Sequence, residues 1–193
     1  MRKKNTVMKV LMFGATGSAG SSILPVCLAD SRIDEVLAIT RRPLETKHDK
    51  LRVIINKDYS TYTAIEEAFE GMDACFYCLG IAVSQTSGEA EYRKITYDFA
   101  MAAAKTVQRH SPHAIFHFIS GEGANLSSRF MWARVKAETE RDLMASVNAV
   151  CWRPGFIDSE PSHTTPRHYK LLRPLMKMLK PVQNVYIDGR DIG

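Results

Sequence analysis

The chain alternates between short apolar runs and longer segments in which apolar residues recur at helical spacing. The short runs predict buried strands, and the helical segments between them predict βαβ units with parallel strands. The predicted strands are residues 7–13, 35–40, 51–56, 74–77, 114–119 and 149–152, and the predicted helices are residues 18–29, 62–69, 89–109 and 129–148. The pattern therefore predicts an α/β fold with a doubly wound parallel sheet in three layers (α/β/α), as a single domain over residues 1–193.

The regular alternation weakens after Pro154. Residues 159–167 are rich in Pro, Ser and Thr and predict a loop, whereas residues 169–179 predict a basic amphipathic helix interrupted by Pro174. We interpret residues 158–182 as a cap on the substrate side, with a membrane-surface or partner helix as the alternative. The sequence stops at Gly193, where another helix would begin, so we expect a truncated C-terminal end.

The composition is that of an ordinary globular protein, with 45% hydrophobic and 24% charged residues. No apolar run reaches the roughly 20 residues that span a bilayer, and the N-terminal apolar segment is too short for a signal sequence. These features predict a cytoplasmic protein without a membrane span. The net charge of +5 is dispersed along the chain, which argues against a nucleic-acid partner.

A glycine-rich turn follows the first apolar run, at residues 14–20. Gly14 permits the sharp turn from strand to helix, Gly17 lets the backbone approach a pyrophosphate, and Gly20 lets the helix pack on the strand. The N–H groups and the dipole at a helix start favour an anion. The candidate phosphate-binding residues are Gly14, Thr16, Gly17, Ser18, Ala19 and Gly20. The turn predicts a Rossmann-like dinucleotide-binding fold, with an ordinary tight turn as the structural alternative.

The end of the second predicted strand indicates which dinucleotide is bound. An acidic residue there binds the ribose hydroxyls in NAD proteins, but this strand ends in Arg41 and Arg42, and Asp34 precedes the strand. Guanidinium groups suit a ribose 2′-phosphate, so NADP is favoured over NAD. Asp58, after the third strand, is a candidate for binding the adenine amino group. Solvated arginines and a loop aspartate are the structural alternatives.

Cysteine and histidine residues give no convincing metal or redox motif. Cys75 and Cys78 form a CxxC pair within a predicted buried strand, and no second pair completes a zinc site. His113 and His117 share one face of a strand near its start, without an acidic partner. We therefore expect core cysteines and no metal site.

Several motifs together resemble the atypical short-chain dehydrogenases/reductases, in the epimerase-like and Tat-interacting-protein-like branch. They are the Gly-Ala-Thr-Gly-Ser-Ala-Gly turn, Thr-Arg-Arg-Pro at residues 40–43, Cys-Leu-Gly at 78–80, Arg-Val-Lys-Ala-Glu-Thr-Glu at 134–140 and Trp-Arg-Pro-Gly-Phe-Ile at 152–157. The resemblance covers nearly the whole chain. It implies an NAD(P) cofactor and further cofactor-binding residues: Leu79, Gly80, Lys136, Pro154, Gly155 and Phe156.

The family uses a Ser, a Tyr and a Lys for catalysis, the last two spaced Tyr-x-x-x-Lys. The resemblance places the serine at Ser120 and the lysine at Lys136, but the tyrosine position holds Trp132. An indole N–H does not titrate usefully, so Trp132 cannot act as a general acid or base. We interpret it as an aromatic residue that packs beside the cofactor.

Residues on the last predicted helix also form candidate surface ion pairs. Arg134 with Glu138 and Lys136 with Glu140 are spaced i,i+4, which favours pairing along one helix face. A solvated Lys136 paired with Glu140 is thus the structural alternative to a catalytic lysine.

Two functions remain open from the sequence. The first is an NADP-dependent oxidoreductase acting on a small carbonyl or alcohol substrate of unknown identity, whose proton donor is water, Ser120 or Tyr169. The second is a non-catalytic NAD(P)-binding redox sensor or regulatory protein, and a scaffold without a ligand is a third possibility. The resemblance also implies a homodimer paired through the two long helices.

Overall fold

The computed structural model describes residues 7–158 and 186–188. Its main sheet has six parallel strands in the order β3-β2-β1-β4-β5-β6. The strands are β1 (Met8–Phe13), β2 (Ile33–Thr40), β3 (Leu51–Ile55), β4 (Ala74–Tyr77), β5 (Ile115–Ile119) and β6 (Ala149–Trp152). The predicted doubly wound Rossmann-like sheet is confirmed, and the strand bounds agree with the sequence pattern to within two residues.

The helices depart from the predictions in type more than in position. They are α1 (Gly20–Ala29), a 3-10 helix (Thr63–Phe69), a short 3-10 turn (Val83–Gln85), α2 (Glu89–Arg93), a π-helical turn (Lys94–Asp98), α3 (Phe99–His110) and α4 (Met131–Ser146). The predicted helix at 62–69 is a 3-10 segment kinked at Ile65, whose φ is −137°. The π turn interrupts the helix predicted at 89–109 because one extra residue is inserted into its hydrogen-bond ladder.

Each face of the sheet carries its own apolar cluster, as both faces of a parallel sheet require. On one face α1 covers β1 and β2 through Ile23, Leu24 and Cys27. The other face is an aromatic-rich cluster beneath α3 and the 3-10 helix, in which Phe13 packs edge-on against Tyr62 with ring centroids 5.7 Å apart. The strand order reverses between β1 and β4, which places a crevice at the carboxyl ends of these two strands.

The two predicted i,i+4 ion pairs along α4, Arg134 with Glu138 and Lys136 with Glu140, are wrong. Arg134 binds Glu89 at 3.1 Å, and Glu138 binds Arg93, so both side chains bridge from α4 to the preceding helix α2. A side chain on a packed helix face reaches a neighbouring helix as easily as the next turn of its own. Helical spacing alone therefore predicts the wrong partners.

Beyond β6 the structure describes a small parallel pair, β7 (Phe156–Asp158) with β8 (Tyr186–Asp188). The proposed cap at 158–182, including the predicted helix at 169–179, lies outside the described residues except for Asp158. No helix within residues 7–158 is both long enough and apolar enough to cross a membrane.

Candidate functional site

The glycine-rich turn lies in the crevice between β1 and β4. Gly14 has a φ of +70°, and a Cβ there would lie 2.6 Å from the carbonyl carbon of Cys78. A Cβ on Gly20 would lie 2.2 Å from the carbonyl oxygen of Gly14. These two glycines are therefore required by the fold itself. At Gly17 the nearest atom to an added Cβ is 3.3 Å away, so the fold alone constrains this position far less.

The backbone of this turn offers hydrogen-bond donors to an anion. Gly17 N–H donates to the carbonyl of Gly14 at 2.9 Å, whereas the N–H groups of Thr16, Ser18 and Ala19 have no partner among the residues that the structure describes. The first turn of α1 contains no acidic residue that would occupy these donors. Unpaired N–H groups at the positive end of a helix dipole fit a phosphate group.

The two arginines predicted to bind a 2′-phosphate are exposed at the carboxyl end of β2. Phe13 pairs with Ile39 in the sheet, so Arg41 and Arg42 follow β2 beside the glycine turn. Thr40 Oγ1 donates to the carbonyl oxygen of Arg42 at 2.7 Å and fixes the bend after the strand. Neither guanidinium forms an ion pair with a residue in the described part of the chain. Both are therefore available to an anionic ligand.

Asp58 is exposed in the loop after β3, where one of its carboxylate oxygens is hydrogen-bonded to Ser60. Its Oδ1 accepts hydrogen bonds from Ser60 N–H at 2.8 Å and from Ser60 Oγ at 2.6 Å. These bonds lower the pKa of the Asp58 carboxyl, so it is ionised at neutral pH. Its Oδ2 remains available to an amino group.

Ser120 and Lys136 meet at the carboxyl end of β5. The Lys136 ammonium, on α4, donates to the carbonyl oxygen of Ser120. The Ser120 hydroxyl is buried and has no partner among the described residues. Leu79 and Gly80 follow β4 at the same edge of the sheet, between Ser120 and the glycine turn. The structure therefore brings the predicted cofactor and catalytic residues to one edge.

Burial controls the charge of Lys136. It lowers the pKa of the ammonium from 10.5 to about 8, and the negative charge of Glu140 opposes this effect only partly. The alternative of a solvated lysine paired with Glu140 is wrong, because Lys136 binds the Ser120 backbone and Glu140 binds Arg153. A lysine with this pKa exchanges protons readily near neutral pH.

Trp132 lies one helical turn before Lys136, in the first turn of α4. Its ring is partly buried, and its Cη2 lies against Gly123, where an added Cβ would be 3.4 Å away. Gly123 has a φ of +83° in the loop that follows Ser120. The indole therefore packs on the β5–α4 loop, at the position that the short-chain dehydrogenase/reductase resemblance assigns to a tyrosine.

A buried ion pair that the sequence did not predict lies behind Lys136. Glu140 is 2% exposed, and Arg153, which follows β6, binds both of its carboxylate oxygens at 2.5–3.1 Å. This pair joins α4 to the segment containing Pro154 and Gly155, and the Pro154 carbonyl accepts a hydrogen bond from Glu122 N–H at 2.9 Å. A usable signal was present: Ala133, Ala137 and Glu140 are spaced i, i+4 and i+7, which places Glu140 on the buried stripe of α4.

We expect Arg153→Ala to lower the free energy of unfolding by about 2 kcal/mol, because the Glu140 carboxylate would remain buried without its partner. Urea denaturation measures this loss. Arg141→Ala is the matched control, because Arg141 is exposed and Asp142, which is only partly buried, would keep its hydrogen bond from Tyr97. The Arg153→Met/Glu140→Gln double variant should recover part of the loss. Equal losses for Arg153→Ala and Arg141→Ala would contradict the structural role assigned to the buried pair.

The four cysteines are free thiols. Burial raises the pKa of Cys75 and raises that of Cys78 to about 12, which disfavours the reactive thiolate. His117 stacks on Phe76 with ring centroids 4.7 Å apart and accepts a hydrogen bond from Trp152 Nε1 at 3.1 Å. Across the part of the chain that the structure describes, no three His, Cys, Asp or Glu residues are grouped to hold a metal ion.

Comparison with known proteins identifies the relatives of this chain. The sequence is 31% identical over 164 residues to "Protein FMP52, mitochondrial" of Kluyveromyces lactis, an alignment that covers 81% of this chain and 70% of that protein. The chain belongs to the FMP52 family. No protein-family model matches the sequence.

Solved structures share the fold of this FMP52-family chain at low sequence identity. A short-chain dehydrogenase of Burkholderia cenocepacia in complex with NADP has a TM-score of 0.67 and 15% identity, covering 96% of this chain and 90% of that one. The Bordetella bronchiseptica enzyme WbmH in complex with NAD⁺ has a TM-score of 0.71 and 13% identity, covering 96% and 70%. The fold is thus that of the short-chain dehydrogenases and epimerase-like proteins.

The expected cytoplasmic location is wrong. The FMP52 relatives from Kluyveromyces lactis, Eremothecium gossypii and Debaryomyces hansenii are all named as mitochondrial proteins. The expectation rested on the lack of an apolar signal segment, which does not exclude a mitochondrial protein.

Proposed function

We propose that this FMP52-family chain is an NADP-dependent oxidoreductase of the atypical short-chain dehydrogenase/reductase type, acting on a small carbonyl or alcohol substrate in mitochondria. Within that class we favour the epimerase-like and Tat-interacting-protein-like branch, on the motifs that the sequence shares with it. The location follows the names of the FMP52 relatives.

One observation carries the proposal: the Lys136 ammonium and the buried, unpartnered Ser120 hydroxyl lie together at the sheet edge that also holds the glycine turn. A buried hydroxyl without a partner is costly unless a ligand satisfies it. A carbonyl or alcohol oxygen is a suitable partner, because it can accept from or donate to Ser120. A nicotinamide cofactor bound at this edge would supply or accept the hydride.

The residues that would hold the dinucleotide follow from their places at this edge. The turn from Gly14 to Gly20 would bind the pyrophosphate. Arg41 and Arg42 would bind the 2′-phosphate, and Asp58 would bind the adenine amino group. Leu79 and Gly80, after β4, and Pro154, Gly155 and Phe156, after β6, would border the ribose and nicotinamide.

We expect Arg41→Ala/Arg42→Ala to weaken NADPH binding by at least about tenfold while leaving NADH binding nearly unchanged, because each charge-assisted contact to the 2′-phosphate contributes roughly 1–3 kcal/mol. Isothermal titration calorimetry with both cofactors measures the preference. Arg32→Ala is the matched control, because Arg32 is exposed at the opposite edge of the sheet and pairs with Asp30. Equal affinity of the double variant and the wild type for NADPH would contradict the assignment.

The oxidoreductase proposal is tested by following NADPH oxidation with a panel of aldehydes, ketones and quinones, and NADP reduction with the corresponding alcohols. We expect turnover that Lys136→Met abolishes. Tight NADPH binding without turnover on any member of the panel would reject the proposal.

A non-catalytic NADP-binding sensor is the second candidate, and Trp132 favours it, because the usual tyrosine position cannot exchange a proton. This candidate predicts NADPH binding without hydride transfer. If millimolar NADPH does not raise the melting temperature, neither function stands and a scaffold without a ligand is favoured.

A further inference from the structure

The site contains an ammonium group, that of Lys136, which forms no ion pair with a carboxylate in the described part of the chain. Lys136 Nζ donates to the Ser120 carbonyl, which leaves two of its three N–H bonds without a partner among the described residues. Gly121 lies directly beside it, and a Cβ there would be 3.1 Å from Nζ. The absence of a side chain at Gly121 therefore leaves space next to the ammonium.

α4 itself carries no tyrosine, and the tyrosines within residues 7–158 other than Tyr92, which is buried on α2, make other contacts. The Tyr97 hydroxyl donates to Asp142 at 2.7 Å on the outer side of α4, and the Asp142 carboxylate raises its pKa. Tyr59, Tyr62 and Tyr77 belong to the aromatic cluster below the sheet. Lys136 is the titratable residue of α4 that binds the backbone of Ser120.

The charges around Lys136 keep it able to release a proton. Glu140, on the same helix, is the carboxylate that acts on it, and Arg153, after β6, binds both oxygens of that carboxylate. Glu122, in the loop after β5, acts on Arg153. Because Arg153 neutralises Glu140, burial dominates and the pKa of Lys136 is about 8.

We propose that Lys136 itself gives the proton to the substrate oxygen during carbonyl reduction and takes it back during alcohol oxidation, while the Ser120 hydroxyl holds that oxygen. This inference rests on the proposed oxidoreductase function. In reduction, the carbonyl carbon gains the hydride that a bound reduced nicotinamide supplies, the C=O π bond opens, and the oxygen forms a bond to the proton of Nζ. Lys136 is left as a neutral amine, which recovers its proton from water.

The first test titrates Lys136 in the protein without added cofactor, by NMR of a sample carrying ¹³C-labelled lysine. The Lys136 signal is assigned by its loss in Lys136→Arg. We expect it to titrate about two pH units below the ordinary lysine pKa of about 10.4. Titration of Lys136 together with the exposed lysines would overturn the inference without bearing on the oxidoreductase function.

The second test compares Lys136→Arg with Lys105→Arg, using NADPH and phenanthrenequinone, an activated dicarbonyl. A guanidinium keeps the positive charge and can bind the Ser120 carbonyl, but it does not release a proton. We expect Lys136→Arg to lower kcat at least about 100-fold while NADPH affinity changes less than about tenfold, because the positive charge is kept, and Lys105→Arg to change neither quantity. In the wild type, kcat for reduction should fall as pH rises through the measured pKa of Lys136.

The remaining outcomes separate this inference from the proposed function. Retained turnover in Lys136→Arg, or a kcat that does not follow the titration of Lys136, would overturn the inference alone. Turnover by Trp132→Tyr but not by the wild type would also overturn it, because a restored tyrosine would then be required. Absence of turnover in both proteins would reject the oxidoreductase function and this inference with it.

Discussion

Trp132→Tyr is expected to raise the rate of NADPH-dependent carbonyl reduction by only roughly tenfold, less than the roughly 10²–10⁴-fold that a positioned general acid adds to a site without one, because Lys136 already supplies the proton. Residues 132 and 136 lie one turn apart on the same face of α4, so a tyrosine hydroxyl would lie beside the Lys136 ammonium. The positive charge would lower the pKa of the phenol, which makes it a better proton donor near neutral pH. The expected gain is limited because Lys136, with Ser120 already in place, is the proton donor of the wild type.

Steady-state kinetics of the purified proteins measure this gain, with Trp132→Phe as the matched control. Phenylalanine removes the indole and leaves a similar ring without a hydroxyl, so it reports the effect of changed packing against Gly123. Equal rates for Trp132→Tyr and Trp132→Phe would show that the tyrosine position does not reach the substrate in this protein. The Trp132→Tyr/Lys136→Met double variant should lose the gain, because the lowered phenol pKa depends on the lysine.

The sheet and the glycine turn were predictable because local sequence determines them. A parallel strand is buried on both faces and is read as an apolar run, and a strand-to-helix turn at a φ of +70° requires glycine. Local sequence also determines where the strands end, so Arg41 and Ser120 lie at the predicted edge of the sheet. The order of the strands follows from the topology that such alternating units adopt.

The partners of charged residues were not predictable, because they depend on packing between distant segments. Glu140 was assigned to Lys136 four residues earlier, yet it binds Arg153 across the interface between α4 and β6. Lys136 satisfies the i,i+4 spacing to Glu140, whereas Arg153 is 13 residues away, so the spacing rule alone selects the wrong partner. The π turn at Lys94–Asp98 is likewise invisible to a search for helical periodicity, because it shifts the register by only one residue.

Gly14→Ala is expected to lower the free energy of unfolding by roughly 3–5 kcal/mol, a large part of the total stability of a domain. A left-handed φ costs an alanine about 1–2 kcal/mol, and forced overpacking adds about 1–3 kcal/mol or more. At Gly14 both apply, because the new Cβ would lie 2.6–2.7 Å from backbone atoms of Cys78 and Leu79. These atoms end β4, so they can move only if the crevice between β1 and β4 opens.

Gly71→Ala separates the two contributions, because Gly71 has a φ of +67° and an added Cβ would meet nothing within 4 Å. Urea denaturation should show a loss of about 1–2 kcal/mol for Gly71→Ala and a clearly larger loss, or no cooperative unfolding, for Gly14→Ala. Gly17→Ala should cost less than about 1 kcal/mol of stability, because its Cβ would come no closer to the fold than 3.3 Å. It should still weaken NADPH binding, because the backbone at this position is expected to approach the pyrophosphate closely. Equal losses of unfolding free energy for Gly14→Ala and Gly71→Ala would mean that the backbone after β4 moves to accommodate the new Cβ. Unchanged NADPH binding in Gly17→Ala would contradict the assignment of the phosphate to this turn.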